Sequence, residues 1–189
     1  MSFRFLILLA TLLLTACNKE PPTYQEQGFV FGTLVDITIY GETEPNAKLA
    51  VSEVMREFQR LHTMLHAWQP SEVSEMNTAF ANGDSVAVSA ELALILQDAT
   101  KISQQSQQLF NPVIGGLIRL WGFHADEFKP VQPDEKQIAQ LVQAHPQMSD
   151  ISIVRGRAQS KNNPCRSIWV AMPKAMRWIA PLRFCINAV

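Results

Sequence analysis

Cysteine is scarce in this chain, with three residues among 189, which excludes a small domain stapled by a dense disulfide framework. Excess charge is missing as well. A formal net charge of −1 leaves no basic surplus of the kind that holds nucleic acid, so nucleic acid is not an expected partner. Long apolar runs are absent, because the longest, residues 5–14, is too short to span a bilayer comfortably. No internal repeat or low-complexity tract occurs, which excludes a solenoid or an extended linker protein. What remains is 47% hydrophobic residues in a length sufficient for one domain with a substantial core.

Residues 1–17 read as a signal peptide, with Arg4 as the positive start and Leu14-Thr15-Ala16-Cys17 as a small-residue cleavage site. Cysteine directly after Leu-Thr-Ala resembles the bacterial lipobox, which implies cleavage before Cys17 and lipidation, including palmitate, at that residue. Asn18 follows, so an aspartate-type retention cue is lacking and the choice between inner and outer membrane stays open. Residues 18–28, with Pro21 and Pro22, read as a flexible tether.

The stretch Leu109-Phe110-Asn111-Pro112-Val113-Ile114-Gly115-Gly116-Leu117-Ile118-Arg119-Leu120-Trp121-Gly122-Phe123 organises the rest. Asn111 is placed to cap a helix, Pro112 suits its first position and Gly122 its end. Two adjacent glycines cost helix propensity, so either a neighbouring element packs tightly there or a flat ligand approaches the backbone.

Upstream, residues 29–40 predict a strand with Phe29, Phe31, Thr33, Val35, Ile37 and Ile39 on one face, and Gly32 within it predicts a bulge or a close backbone approach. A helix follows from Pro45 with Asn46 as its cap, carrying Leu49, Val54, Phe58, Leu61, Leu65 and Trp68 near one stripe. His62 and His66 have the spacing of a zinc pair, but no third ligand is in evidence. Pro70 stops that helix and Ser71 starts a second, which leaves Trp68 at a corner, placed to stack on a ligand or to plug the core.

After the turn Asn82-Gly83-Asp84, Ser89 caps a helix with Leu92, Ile95, Ala99, Ile102, Ser106 and Leu109 at helical spacing. That helix delivers the chain to the organising stretch, so Arg119 and the glycines sit just past a rigid support, a suitable place for a binding site. Pro133-Asp134-Glu135 opens a further helix through Ala144. Residues 150–154 and 157–160 predict two short strands turning at Arg155-Gly156.

In this order the segments resemble the N-terminal half of the ApbE family, the FAD:protein FMN transferases, older records of which speak of thiamine-biosynthesis lipoproteins. The resemblance is carried by the lipobox, by Phe31-Gly32-Thr33 where the family has Met-Gly-Thr, by Trp68-Gln69-Pro70-Ser71-Glu72 with Asn77, and by residues 110–123, similar to F-D-P-T-x-G-P-L-x-x-L-W-G-F. It implies an α+β, T-fold-related domain, here incomplete, with helices packed on a mostly antiparallel sheet. It also implies FAD as substrate, magnesium on the pyrophosphate, and transfer of FMN to a Thr or Ser hydroxyl of a target flavoprotein with release of AMP. By position, Phe31, Trp68, Leu109, Phe110 and Asn111 would touch the flavin nucleotide. Three residues depart from the pattern: Phe31 for methionine, Asn111 for aspartate and Val113 for threonine. The family resemblance also implies a lipid-anchored, periplasm-facing protein, with the inner membrane favoured.

Past residue 163 the resemblance ends where L-G-G-x-A-K-G-x-A-x-D is due. All 17 acidic residues lie at or before Asp150, whereas Arg155, Arg157, Lys161, Arg166, Lys174, Arg177 and Arg183 follow it. One reading is a basic membrane-binding tail interleaved with Trp169, Trp178 and Phe184. The genetic code favours another. When each codon is begun one base early, Trp169/Val170 forces glycine, Met172/Pro173 alanine and Trp178/Ile179 aspartate, and the permitted bases elsewhere allow L-G-G-Y-A-K-G-Y-A-L-D. Residues 164–189 therefore read as an out-of-frame tail in which Cys165 and Cys185 are accidental, after a transferase portion spanning residues 29–163. The magnesium ligands and catalytic groups of the family belong to the part that is not read. The expectation is a flavin transferase by descent, impaired in this chain. The alternatives are a lipoprotein that binds flavin or a partner without chemistry, and a pseudogene product.

Overall fold

The computed structural model describes residues 21–124 and 131–161. The chain divides into two compact units, Met1–Glu57 and Phe58–Val189.

In the first unit, strands β1 (Thr23–Val30) and β2 (Thr33–Tyr40) form an antiparallel hairpin in which Val30 faces Thr33 and Thr23 faces Tyr40. The sequence pattern predicts one strand over residues 29–40, and the chain instead reverses at Phe31-Gly32. Both turn residues lie at positive φ, 56° and 68°, the geometry that suits two-residue hairpin loops to the strand twist. The reversal moves Phe29 to the exposed face, beside its cross-strand partner Leu34, while Val30 and Val35 are buried. Gly32 is there for the turn and not for a bulge or a close approach, since a Cβ added to it would meet nothing within 4 Å. Residues 23–28, read from sequence as part of a tether, form most of β1. The lipobox residues, Cys17 included, lie outside the described residues.

Helix α1 (Glu44–Met64) begins in the first unit and ends in the second. Its buried positions in the first unit are Ala47 and Val51, and Leu49, placed on the buried stripe by the sequence reading, is 65% exposed. Met55 lies against Gly28 so closely that a Cβ there would collide with its methyl group. Side-chain volume at that strand position is therefore excluded by the helix.

In the second unit, α1 contributes buried Phe58 and Leu61, followed by Leu65. Helix α2 (Glu72–Asn82) buries Val73, Met76, Asn77 and Phe80, and helix α3 (Ala90–Gln105) buries Leu92, Leu96, Ala99 and Ser103. Each fully buried leucine or phenylalanine stabilises this core by roughly 1.5–3 kcal/mol. Strand β3 (Val86–Ala87) pairs with β5 (Arg157–Ser160), which also pairs with β4 (Ile151–Val154), all antiparallel. The α+β expectation holds, with the antiparallel strands in two small sheets.

Three helices differ from the sequence pattern at their ends. Helix α1 runs Glu44–Met64, so Asn46 lies inside it and does not cap it, and Leu65 and Trp68 lie beyond its end. The periodicity carries α3 on to Leu109, but the helix stops at Gln105 and Leu109 is 92% exposed. Gln107 and Gln108 adopt left-handed backbone (φ 53° and 67°), and the Gln108 amide donates to the Ser103 carbonyl at 2.8 Å, which closes the helix without a glycine. Helix α4 is shorter than its pattern, Gly115–Leu120, and Asn111 does not cap it. Its glycines do the predicted packing work: a Cβ on Gly116 would sit 3.2 Å from a Leu141 methyl on α5 (Glu135–Ala144). Gly122 ends α4 as expected, with the Gly122 amide donating to the Arg119 carbonyl and Phe123 to Ile118, both at 3.0 Å.

Candidate functional site

The corner between α1 and α2 is built by hydrogen bonds that the local sequence supplies. His66 Nδ1 accepts from the amides of Trp68 (3.2 Å) and Gln69 (3.0 Å), which fixes the chain as it leaves α1. The Ser71 hydroxyl donates to the His66 carbonyl and accepts from the Ser74 amide at 2.9 Å. Ser74 Oγ returns the favour by accepting from the Ser71 amide at 2.9 Å, completing a reciprocal cap on α2. Trp68 is therefore presented from a rigid turn. Its indole meets the His124 ring edge to face, with centroids 5.9 Å apart and planes at 66°.

Trp68 is one wall of a cleft of about 230 Å³, whose other lining includes Ser74, Asn77 and Thr78 from α2 and Arg119 from α4. Asn77 is 8% exposed. The hydroxyl of Thr78 donates to the Ser74 carbonyl at 2.9 Å, which leaves its oxygen available as an acceptor. Among the described residues no carboxylate lines the cleft, and Arg119 is exposed. The cleft thus offers an aromatic wall, a buried amide, two hydroxyls and one cation, a set suited to a polar ring system with an anionic substituent. A larger open depression of about 790 Å³ shares Ser74 and Thr78 and reaches Asp84, Ser85 and Arg157, with no aromatic wall among the described residues.

The residues read from sequence as flavin contacts are only partly brought together. Trp68 lines the cleft, but Leu109, Phe110 and Asn111 are not among its walls. Both ends of the Asn111 side chain have structural partners: Nδ2 donates to the Pro146 carbonyl at 2.7 Å, and Oδ1 accepts from the Val113 amide at 3.0 Å. Phe31 belongs to the first unit, at the tip of the hairpin. Asn77 was legible in part. It falls on the apolar stripe of α2 with Val73, Met76 and Phe80, and a polar residue on a buried stripe points to a specific role.

Metal binding is corrected. Zinc takes histidine, thiolate or carboxylate ligands and magnesium takes oxygen ligands, and among the described residues no group of three or more His, Cys, Asp or Glu side chains is arranged to hold an ion. The His62–His66 pair meets edge to face at 5.3 Å, and the Nδ1 atom of His66 is occupied by backbone amides. The membrane and lipoprotein attributes are not carried by the described residues either: none of their helices is long and apolar enough to cross a membrane.

The sequence model of the ApbE family matches residues 31–173, ten residues past the point where the motif reading ends. A FAD:protein FMN transferase of Rhodobacter capsulatus is 34% identical over 141 residues, covering 75% of this chain and 27% of that protein. An ApbE protein from Thermotoga maritima superposes with a TM-score of 0.65 at 20% identity, over 75% of this chain and 46% of that one. The apo flavinyl transferase ApbE of Pseudomonas stutzeri does so with 0.68 at 16%, over 89% and 54%. The chain thus spans about a quarter of that curated relative and about half of these structures.

Proposed function

This chain belongs to the ApbE family, and from that premise we propose that it is a flavin transferase by descent, one that takes FAD and serves a target flavoprotein. The observation that carries the reading is the cleft of Trp68, Asn77 and Arg119, assembled from two of the segments that match the family. In the proposed reaction a Thr or Ser hydroxyl oxygen of the target bonds to the phosphorus of the FMN half. The phosphoanhydride P–O bond breaks, AMP leaves, and the hydroxyl proton passes to a base.

The chain's own residues account for binding and orientation in this scheme. Trp68 walls the ring system, Asn77 and the hydroxyls of Ser74 and Thr78 offer polar contacts, and Phe31, Leu109, Phe110 and Asn111 remain proposed contacts by family position. Among the described residues no acid or base lines the cleft. We further propose that residues 164–189 are read out of frame, which removes the family's Ala-Lys-Gly segment and leaves transfer impaired.

The test is to incubate the full chain with FAD and a flavoprotein acceptor, then to measure AMP release and covalent flavin fluorescence on the denatured acceptor. The reading predicts bound flavin with transfer far below that of the Rhodobacter capsulatus enzyme. Transfer at the rate of that enzyme would overturn the impairment, and a chain that binds no flavin would overturn the assignment.

A further inference from the structure

Arg119 occupies a position that the family pattern leaves open. In F-D-P-T-x-G-P-L-x-x-L-W-G-F it falls on the second unspecified residue before Leu120, so the resemblance gives it no role. Its surroundings do. It lines the Trp68 cleft from α4, it is exposed, and its guanidinium has no hydrogen-bond or ion-pair partner among the described residues. Three other cations of this unit are engaged: Arg60 with Glu91, Lys101 with Asp98, and Arg157 with Ser85. A guanidinium with no partner among the described residues, beside an aromatic wall and with no carboxylate among the described lining residues, is arranged to receive an anion carried by an aromatic ligand.

Size narrows the choice. Pockets that enclose a drug-sized molecule run from about 300 to about 1,000 Å³. A cleft of about 230 Å³ therefore takes one ring-bearing end of a dinucleotide and not the whole. We propose that Arg119 is a specificity-determining residue that grips the phosphate of the flavin mononucleotide half while its ring lies against the Trp68 wall, so that the cleft prefers flavin phosphates over unphosphorylated flavin. This rests on the flavin reading above and deepens it.

Titration of the full chain into riboflavin, FMN, adenosine and AMP, followed by flavin fluorescence anisotropy or by calorimetry, tests the point without any turnover. FMN is expected to bind roughly tenfold or more tightly than riboflavin, a typical yield for a charge-assisted contact, with the preference shrinking as salt rises. In Arg119→Gln the two flavins should bind alike, with riboflavin affinity and melting temperature unchanged, and Arg119→Lys should recover part of the preference. Equal binding of riboflavin and FMN by the unaltered chain, an Arg119→Gln variant that weakens both alike, or a preference for AMP over adenosine with none between the flavins would each overturn the proposal. Failure of every flavin to bind would instead overturn the flavin reading itself.

Discussion

Trp68 and His124 meet edge to face with ring centroids 5.9 Å apart, which ties the α1–α2 corner to the segment that closes α4. These residues are 56 positions apart in sequence (124 − 68), and their contact holds the aromatic wall of the cleft in place. His124 Nδ1 is buried with no hydrogen-bond partner among the described residues, so the imidazole serves as a ring at the cost of an unsatisfied nitrogen. His124→Phe should therefore keep or raise the melting temperature. His124→Ala should lower stability by about 0.5–1.5 kcal/mol and weaken flavin binding, as read by denaturant unfolding and titration.

Asn111 separates a structural role from a ligand-binding one. Aspartate, the family's residue here, can still accept from the Val113 amide but cannot donate to the Pro146 carbonyl. Asn111→Asp and Asn111→Ala should each destabilise the chain by about 1–3 kcal/mol in urea unfolding, because a polar partner is left unsatisfied. An Asn111→Asp chain of unchanged stability would contradict that structural role.

The hairpin turn gives a purely backbone prediction. Nothing lies within 4 Å of a Cβ built on Gly32, and its φ is 68°. Gly32→Ala should therefore cost about 1 kcal/mol or more through conformation alone, and Gly32→Asn less, since asparagine tolerates left-handed backbone. Gly116 has the opposite character. With Leu141 at 3.2 Å from a virtual Cβ, Gly116→Val should destabilise by about 1–3 kcal/mol through overpacking, measured by the same unfolding midpoint.

These positions also show what the sequence could convey. The Ser71 start, the Ser89 cap, the Pro133-Asp134-Glu135 helix opening, the Gly122 helix end and the Arg155-Gly156 turn are local signals, and each of these elements lies where its signal puts it, whereas α1 stops at Met64, ahead of the Pro70 signal. The hairpin was hidden because Phe31, a residue uncommon at positive φ, stands in the first turn position, so alternation reads straight through it. The end of α3 was hidden in the same way by Gln107 and Gln108. In the cleft, Trp68 was legible from its corner. Its meeting with Arg119 depends on how α4 packs in the folded unit, a tertiary fact that periodicity does not encode.

The first turn of α1 carries the pH prediction. Lys48 Nζ lies 2.8 Å from Glu44, and this hydrogen bond holds the Glu44 carboxyl below its ordinary range while raising the Lys48 amine. A carboxylate lowered on folding contributes stability above its unfolded pKa, and that contribution is lost as pH falls through the lowered value. The lysine contribution is present below its ordinary pKa and disappears as pH rises through the raised one. Both groups are exposed, so the effect is small. Glu44→Gln should melt slightly below the unaltered chain at about pH 7, and the gap should close by about pH 3 in a thermal-melt series.

The most direct measurement of the central claim is a crystal structure of the chain grown with FMN. The account predicts the isoalloxazine against Trp68 in the α2–α4 cleft, with phosphate oxygens within hydrogen-bond distance of the Arg119 guanidinium. FMN seated on Leu109 and Phe110 with the cleft empty, or its phosphate turned away from Arg119, would contradict it.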